Sequence, residues 1–216
     1  MNSIQQMLNL TYDQCCEYLK QKHGLVKKNY FSNEQCLSSV QSIKRTKTDG
    51  LFIHHIDEDK AIMLSDPKFA IKNPFAYQLA NRLVYCDYLE HLVLHIKILE
   101  YPHKDKNPHE KVGYGGIFNF LIPELNDIYS NCCYQQIWKK KAIDLVINRK
   151  SDYLLCLKYL MTHFDIPFEA YTNVAIKNAC KASSFFIESE KLENLVLEIN
   201  DLYQTALATS KNRKKV

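Results

Sequence analysis

Apolar positions along the chain follow two different periods. Tyr12, Cys15, Cys16 and Leu19 recur at spacings of three and four, which predicts a helix over Thr11 to Lys22 that ends near Gly24, a residue suited to a helix C-terminus. Residues 25–49 are polar and basic and close on Asp49-Gly50, a turn signal. Leu51 to Ile56 is a short aromatic and β-branched run, read as a strand, and Asp57-Glu58-Asp59 ends it. Ala61 to Leu64 reads as extended. Asn73-Pro74 reads as the N-cap and first position of a short helix through Leu79. Arg82 to Cys86 predicts a second strand. Asp87 stands three residues before Glu90, a capping-box spacing that starts a helix, and Pro102 stops it after about Leu99. Gly113, Gly115 and Gly116 predict a loop; with no strand before them they are not a dinucleotide fingerprint. Residues 117–129, 135–147, 152–163 and 190–207 again carry apolar positions at helical spacing. The basic tail from Lys211 is expected to fray.

Two short strands among many helices predict an α+β chain. Its 216 residues are 46% hydrophobic, enough to bury a core, and 24% charged, which argues against bulk disorder. The element order divides it into an N-terminal helical and basic segment (1–49), a strand–strand–helix unit (50–101) and a helical C-terminal region (102–216) packing on that unit. No apolar stretch approaches the ~18 residues of a membrane span. The opening residues lack a basic stretch followed by an apolar run, so a cytoplasmic protein with no membrane partner is expected. The 8 cysteines include the adjacent pairs Cys15-Cys16 and Cys132-Cys133 but no CxxC, which argues against a zinc ribbon and for free buried thiols. A net charge of +4 permits a polyanionic partner without demanding one.

The candidate chemistry lies in His54-His55 at the end of the first strand, Asn81 before the second, and His91 and His95 on the following helix. Residues i and i+4 project from one helix face, so His91 and His95 can reach one metal ion. Each fragment alone is ordinary: paired histidines on a strand are often half-buried core residues. Together they gather four of the 8 histidines into two tight pairs on elements that fold onto each other.

In this order the fragments, IHHID and then NRLVYCDYLEHLVLH, resemble the HNH, or His-Me finger (ββα-metal), nucleases. They are most similar to the colicin-type branch, whose metal site is all histidine. The likeness covers about residues 50–100. It implies a central ββα-metal finger embedded in a mostly helical chain, with His54, His91 and His95 as ligands to one divalent ion. Mg²⁺ or Mn²⁺ would be foremost, with Zn²⁺ or Ni²⁺ as alternatives. It makes His55 the general base and Asn81 the residue that holds the loop and orients that base. The implied activity is single-metal hydrolysis of DNA phosphodiester bonds, as in a restriction, phage or mobile-element endonuclease. Double-stranded DNA is the expected partner ahead of RNA, and a symmetric duplex cutter would be a homodimer. The chain departs from many members in having no CxxC pair and a long connection between His55 and Asn81. The acids in that connection read as solvated turn residues, with Asp57 or Glu58 able to accept an imidazole N–H.

Lys44, Arg45 and Lys47 lead into the first strand and are the candidate phosphate contacts; Lys27-Lys28 and Lys139 to Lys141 are further basic clusters. Two rivals stay open. One is a non-catalytic nucleic-acid-binding or regulatory protein that keeps the finger. The other is a structural zinc protein in which Cys86 joins His54, His91 and His95 and leaves no open position.

Overall fold

The computed structural model describes residues 3–130, 137–175 and 189–213. It is a mostly helical α+β structure with one antiparallel hairpin, β1 (Phe52–His55) and β2 (Leu83–Cys86), in the register His54 opposite Val84 and His55 opposite Leu83. The helices are α1 (Ser3–Leu8), α2 (Tyr12–His23), α3 (Thr46–Asp49), α4 (Pro67–Ala70), α5 (Tyr88–Glu100), α6 (Ile122–Tyr129), α7 (Ile137–Asp144), α8 (Lys150–His163) and α9 (Ser189–Arg213).

Local chemistry accounts for the two helices that frame the hairpin. Thr11 and Gln14 form a reciprocal capping box at the start of α2, and Asp87 and Glu90 do the same for α5, each box satisfying two backbone N–H groups. Glu90 is fully buried and also pairs with Lys22 and His23, which ties the end of α2 to the start of α5. α5 is buried on nearly every side. Leu89, Leu92, Val93, Leu94, Ile96 and Ile98 have no exposed surface, the signature of a helix that runs through a core. It packs against α1, α2, α8 and the segment 116–121, with each buried aliphatic side chain contributing ~1.5–3 kcal/mol.

Strand alternation gives the hairpin two unlike faces. Phe52, Ile56, Val84 and Cys86 join the main core with α5. Ile53, Leu83 and Tyr85 join a small separate cluster beneath the N-terminal segment, built with Val26, Tyr30, Ile43 and Leu51. Gly50, at φ +76°, turns the chain from α3 into β1; a Cβ there would lie 2.6 Å from the Lys141 carbonyl oxygen, so α7 packs directly on glycine backbone.

Several sequence expectations change. α1 precedes the first helix expected. Ala61 to Leu64 is a turn rather than extended chain, with Met63 at φ 54°. The turn after Asn73 is a 3₁₀ helix capped by Pro74, not Asn73. Among the three clustered glycines only Gly113 turns the chain, at φ +79°; Gly115 and Gly116 have helical backbone, and the π segment Gly116–Leu121 begins there and runs on into α6. Of the tail expected to fray from Lys211, residues 211–213 continue the last helix, and residues 214–216 lie outside the described residues. Free, buried thiols are observed at Cys15, Cys16, Cys36, Cys86 and Cys156, whereas Cys132, Cys133 and Cys180 lie outside the described residues, as do residues 135–136 of a helix expected from 135. No helix among the described residues is long and apolar enough to cross a membrane.

Candidate metal centre

β1 stops at His55, and the chain folds at once into a 3₁₀ turn, Ile56–Asp59. That turn swings Glu58 back beneath the strand end. Its Oε2 lies 3.5 Å from His54 Nδ1 and its Oε1 lies 3.7 Å from His55 Nδ1. One carboxylate therefore touches two histidines whose side chains leave the strand on opposite faces. From the other side α5 presents His91 and His95 one turn apart, with their Nε2 atoms 3.2 Å from each other and His95 Nε2 3.3 Å from Glu58 Oε2.

His54, Glu58, His91 and His95 thus each offer one donor atom, and the four atoms lie within 4.8 Å of one another. A tetrahedral ion with ligand bonds of ~2.0–2.1 Å needs donors ~3.3–3.4 Å apart. Three of the six separations, 3.2, 3.3 and 3.5 Å, match that edge, while the set as a whole spans up to 4.8 Å, wider than a tetrahedral ion would hold it. His54 Nδ1 is buried without a hydrogen-bond partner, the state expected of a nitrogen whose partner is an ion. Burial pushes the His54 imidazole well below its ordinary range, lowers His95, and lowers His91 to about 3, so all three offer lone pairs at neutral pH. Burial opposes ionisation of Glu58, but the surrounding imidazoles hold its carboxyl well below the usual range. The donor set fits a divalent ion.

Around this set, packing holds the ligands. Tyr12 Oη sits 2.8 Å from His54 Nε2. Gly116 lies against His95, and a Cβ there would come within 2.5 Å of the imidazole, so only glycine lets the ring take this position. His55 is fully buried; Tyr30 packs over it, with ring centroids 4.6 Å apart, and its Nε2 is 2.9 Å from Gln78 Oε1. The Gln78 amide nitrogen donates to the Leu64 carbonyl at 3.1 Å, so its oxygen must accept from His55 Nε2–H. His55 Nδ1 then carries the lone pair. It is buried without a hydrogen-bond partner and faces Glu58.

The residues expected from sequence are distributed unevenly. His54, His91 and His95 come together, joined by Glu58 rather than standing as an all-histidine set. His55 stands beside them. Asn81 is exposed in the 3₁₀ turn before β2 and is among no described hydrogen bonds; Gln78 is the side chain on His55, and Asn29 caps the loop by accepting from Ala80 N at 3.0 Å. Asp57 instead braces the hairpin, accepting two 2.7 Å bonds from Arg82 and one from Lys60. Cys86 is buried opposite Phe52, outside the cluster, so a zinc site completed by that thiol is not the one formed. Glu58 had one local signal, its position four residues after His54. Tyr12, Gln78 and Gly116 had none.

Lys27, Lys28, Lys44 and Arg45 lie on the other face of the hairpin, with Tyr30 and Tyr85. A cavity of about 440 Å³ is lined by Lys27, Lys28, Arg45, Ser42 and Tyr85 among others. Arg45 is held there, its guanidinium over the Tyr85 ring and donating to the His23 carbonyl and to Asp49. Lys44 Nζ lies 5.8 Å from the centroid of the Tyr30 ring that covers His55, and Lys47 is exposed. Lys139, Lys140 and Lys141 are engaged with Glu124, Asp144 and the Thr48 carbonyl.

Comparison with protein-family models, curated proteins and solved structures finds no match for this chain.

Proposed function

We propose that the protein is a metal-dependent endonuclease of the HNH, or ββα-metal finger, type, hydrolysing DNA phosphodiester bonds. One ion would be held by His54, His91, His95 and Glu58. The observation that carries the reading is His55: a further buried imidazole with an unpartnered Nδ1, at the edge of a complete donor set it does not belong to. A bound divalent ion supplies charge stabilisation for a pentavalent phosphoryl transition state and the departing oxygen. His55 Nδ1 takes a proton from the attacking water, and Gln78 keeps the opposite nitrogen protonated. Lys27, Lys28, Lys44 and Lys47 hold the phosphate backbone on the face that His55 shares. Three imidazoles with one carboxylate favour Zn²⁺, Ni²⁺ or Co²⁺ over Mg²⁺, which prefers oxygen ligands and keeps its waters.

One observation favours a second reading, a closed structural metal site. His54 and His55 have no exposed surface, and four protein ligands leave a tetrahedral ion no open position. Incubation of the metal-free chain with supercoiled plasmid and Zn²⁺, Ni²⁺, Mn²⁺ or Mg²⁺ separates the two. The nuclease reading expects metal-dependent nicking that EDTA stops. Intact plasmid, with a chain that binds Zn²⁺ and unfolds on chelation, would establish the structural site instead.

A further inference from the structure

We infer that Tyr12 is a positioning residue of the metal centre: its hydroxyl locks His54 into the tautomer that keeps the Nδ1 lone pair aimed at Glu58, His91 and His95. The inference rests on the metal-site reading above and adds to it a residue from outside the hairpin and α5. A phenol has one proton to donate. The Ile56 carbonyl, 2.8 Å from Tyr12 Oη, can only accept, so it takes that proton. His54 Nε2 lies 2.8 Å from the same oxygen. With the hydroxyl proton engaged, this second bond forms only if Nε2 carries hydrogen and the phenol oxygen accepts it. A neutral imidazole has one N–H, so Nδ1 is left with its lone pair. Nδ1 is the atom 3.5 Å from Glu58 Oε2, and it has no other partner. In the opposite tautomer a proton would sit inside the ligand set and His54 could not bind an ion without rearranging.

The position of Tyr12 is itself well determined. It is the first residue of α2, directly after the Thr11 cap, and is buried edge-on to the His54 ring, with an interplanar angle of 81°. The same hydroxyl also grips the chain at Ile56, where β1 gives way to the turn that delivers Glu58. One hydroxyl thus acts on two of the four candidate ligands. Removing such an outer hydrogen bond typically weakens metal binding ~10–100-fold.

The test uses the full chain, metal-free and labelled with ¹⁵N-histidine. Long-range ¹H–¹⁵N correlation reads the His54 tautomer, assigned by the signal lost in His54→Ala. Wild type should show Nε2–H, and Tyr12→Phe, which keeps the ring, should lose that preference. Zn²⁺ competition against a chromophoric chelator should then show affinity ~10–100-fold weaker in Tyr12→Phe. Tyr18→Phe, on the same helix, should match wild type. An Nδ1–H tautomer in wild type overturns the inference, whether or not Tyr12→Phe folds. Zn²⁺ affinity in Tyr12→Phe within about twofold of wild type also overturns it, since the outer contact would be worth less than the expected range. A wild-type chain that takes up no Zn²⁺ removes the metal reading itself, and the role of Tyr12 with it.

Discussion

His54 and His55 are neighbours in sequence and sit in chemically different halves of the molecule. His54 faces the side of the hairpin where α2, α5 and the main core close around a set of donor atoms. His55 faces the side covered by the N-terminal segment, where Tyr30 lies over it and lysines border a cavity. Period-two alternation of a strand is enough to make this separation. Glu58 spans the two halves because the strand ends at His55, so a carboxylate three residues on can reach both imidazoles. Each histidine also has its own hydrogen-bonding partner on the nitrogen away from Glu58: Tyr12 for His54 and Gln78 for His55. Under the proposed function, metal binding belongs to the His54 face and proton transfer with phosphate contact to the His55 face. That proposal predicts that substitutions on the two faces have separable effects.

The largest effect is expected on the His54 face. Replacing His91 with Ala removes a donor atom and should weaken metal binding by more than the ~10–100-fold that an outer contact is worth, with plasmid nicking lost altogether. Calorimetric Zn²⁺ affinity equal to wild type would break the assignment of that face. His55→Ala should do the opposite: leave metal affinity within a few-fold and slow single-turnover cleavage by ~10²–10⁴-fold. If His55→Ala instead releases the metal, the two faces are not distinct and His55 is a ligand.

Local features of this division are legible in the sequence and tertiary ones are not. The Asp87/Glu90 cap and the His91/His95 pair lie within one helix, and helical spacing alone places them. His54-His55 at a strand end is equally local. Glu58 is harder, because its role depends on a 3₁₀ turn that no apolar period announces, so it reads as one of three solvated acids. Tyr12 and Gln78 reach their histidines across 42 and 23 residues, distances at which a single sequence carries no pairing signal. Gly116 misleads in a different way. Three nearby glycines suggest a loop, but this one is small because the His95 ring needs its space, not because the backbone turns there.

Gly116 therefore offers a sharper test with a smaller effect. Gly116→Ala drives a methyl group to 2.5 Å from the His95 imidazole, which must move. The helix itself would gain from alanine, ~1 kcal/mol, while overpacking costs ~1–3 kcal/mol. Net stability should change little or fall, but Zn²⁺ affinity should drop clearly, because the ring that moves is one of the four candidate ligands. A variant with unchanged affinity would mean that His95 contributes little to binding. Acid acts on the same face. The folded metal-free chain holds His91 at about 3, below its ordinary value of 6.5, so the unfolded chain binds more protons between those limits. Stability to urea should therefore fall as pH drops through that window, with the slope reduced in His91→Ala.

The smallest effect is expected on the His55 face and concerns binding rather than chemistry. Lys27 and Lys28 line the cavity, Lys44 and Lys47 are exposed, and Arg45 is already engaged by Asp49, Tyr85 and the His23 carbonyl. If this face carries the phosphate backbone, neutralising the four lysines should weaken DNA binding about equally on every sequence, since phosphate contacts carry no base information. Each lost contact should flatten the slope of log affinity against log salt by ~0.9 on duplex DNA. Arg45→Gln should instead lower stability, because its three interactions tie the start of α3 to the end of α2 and to β2. Metal affinity should stay unchanged in the lysine variants, as they lie on the face away from His54. An unaltered salt slope, with cleavage intact, would move the DNA path off the face that His55 shares. The general base would then have to work with substrate arriving from elsewhere, and the separation of the two faces would fail at its weaker side.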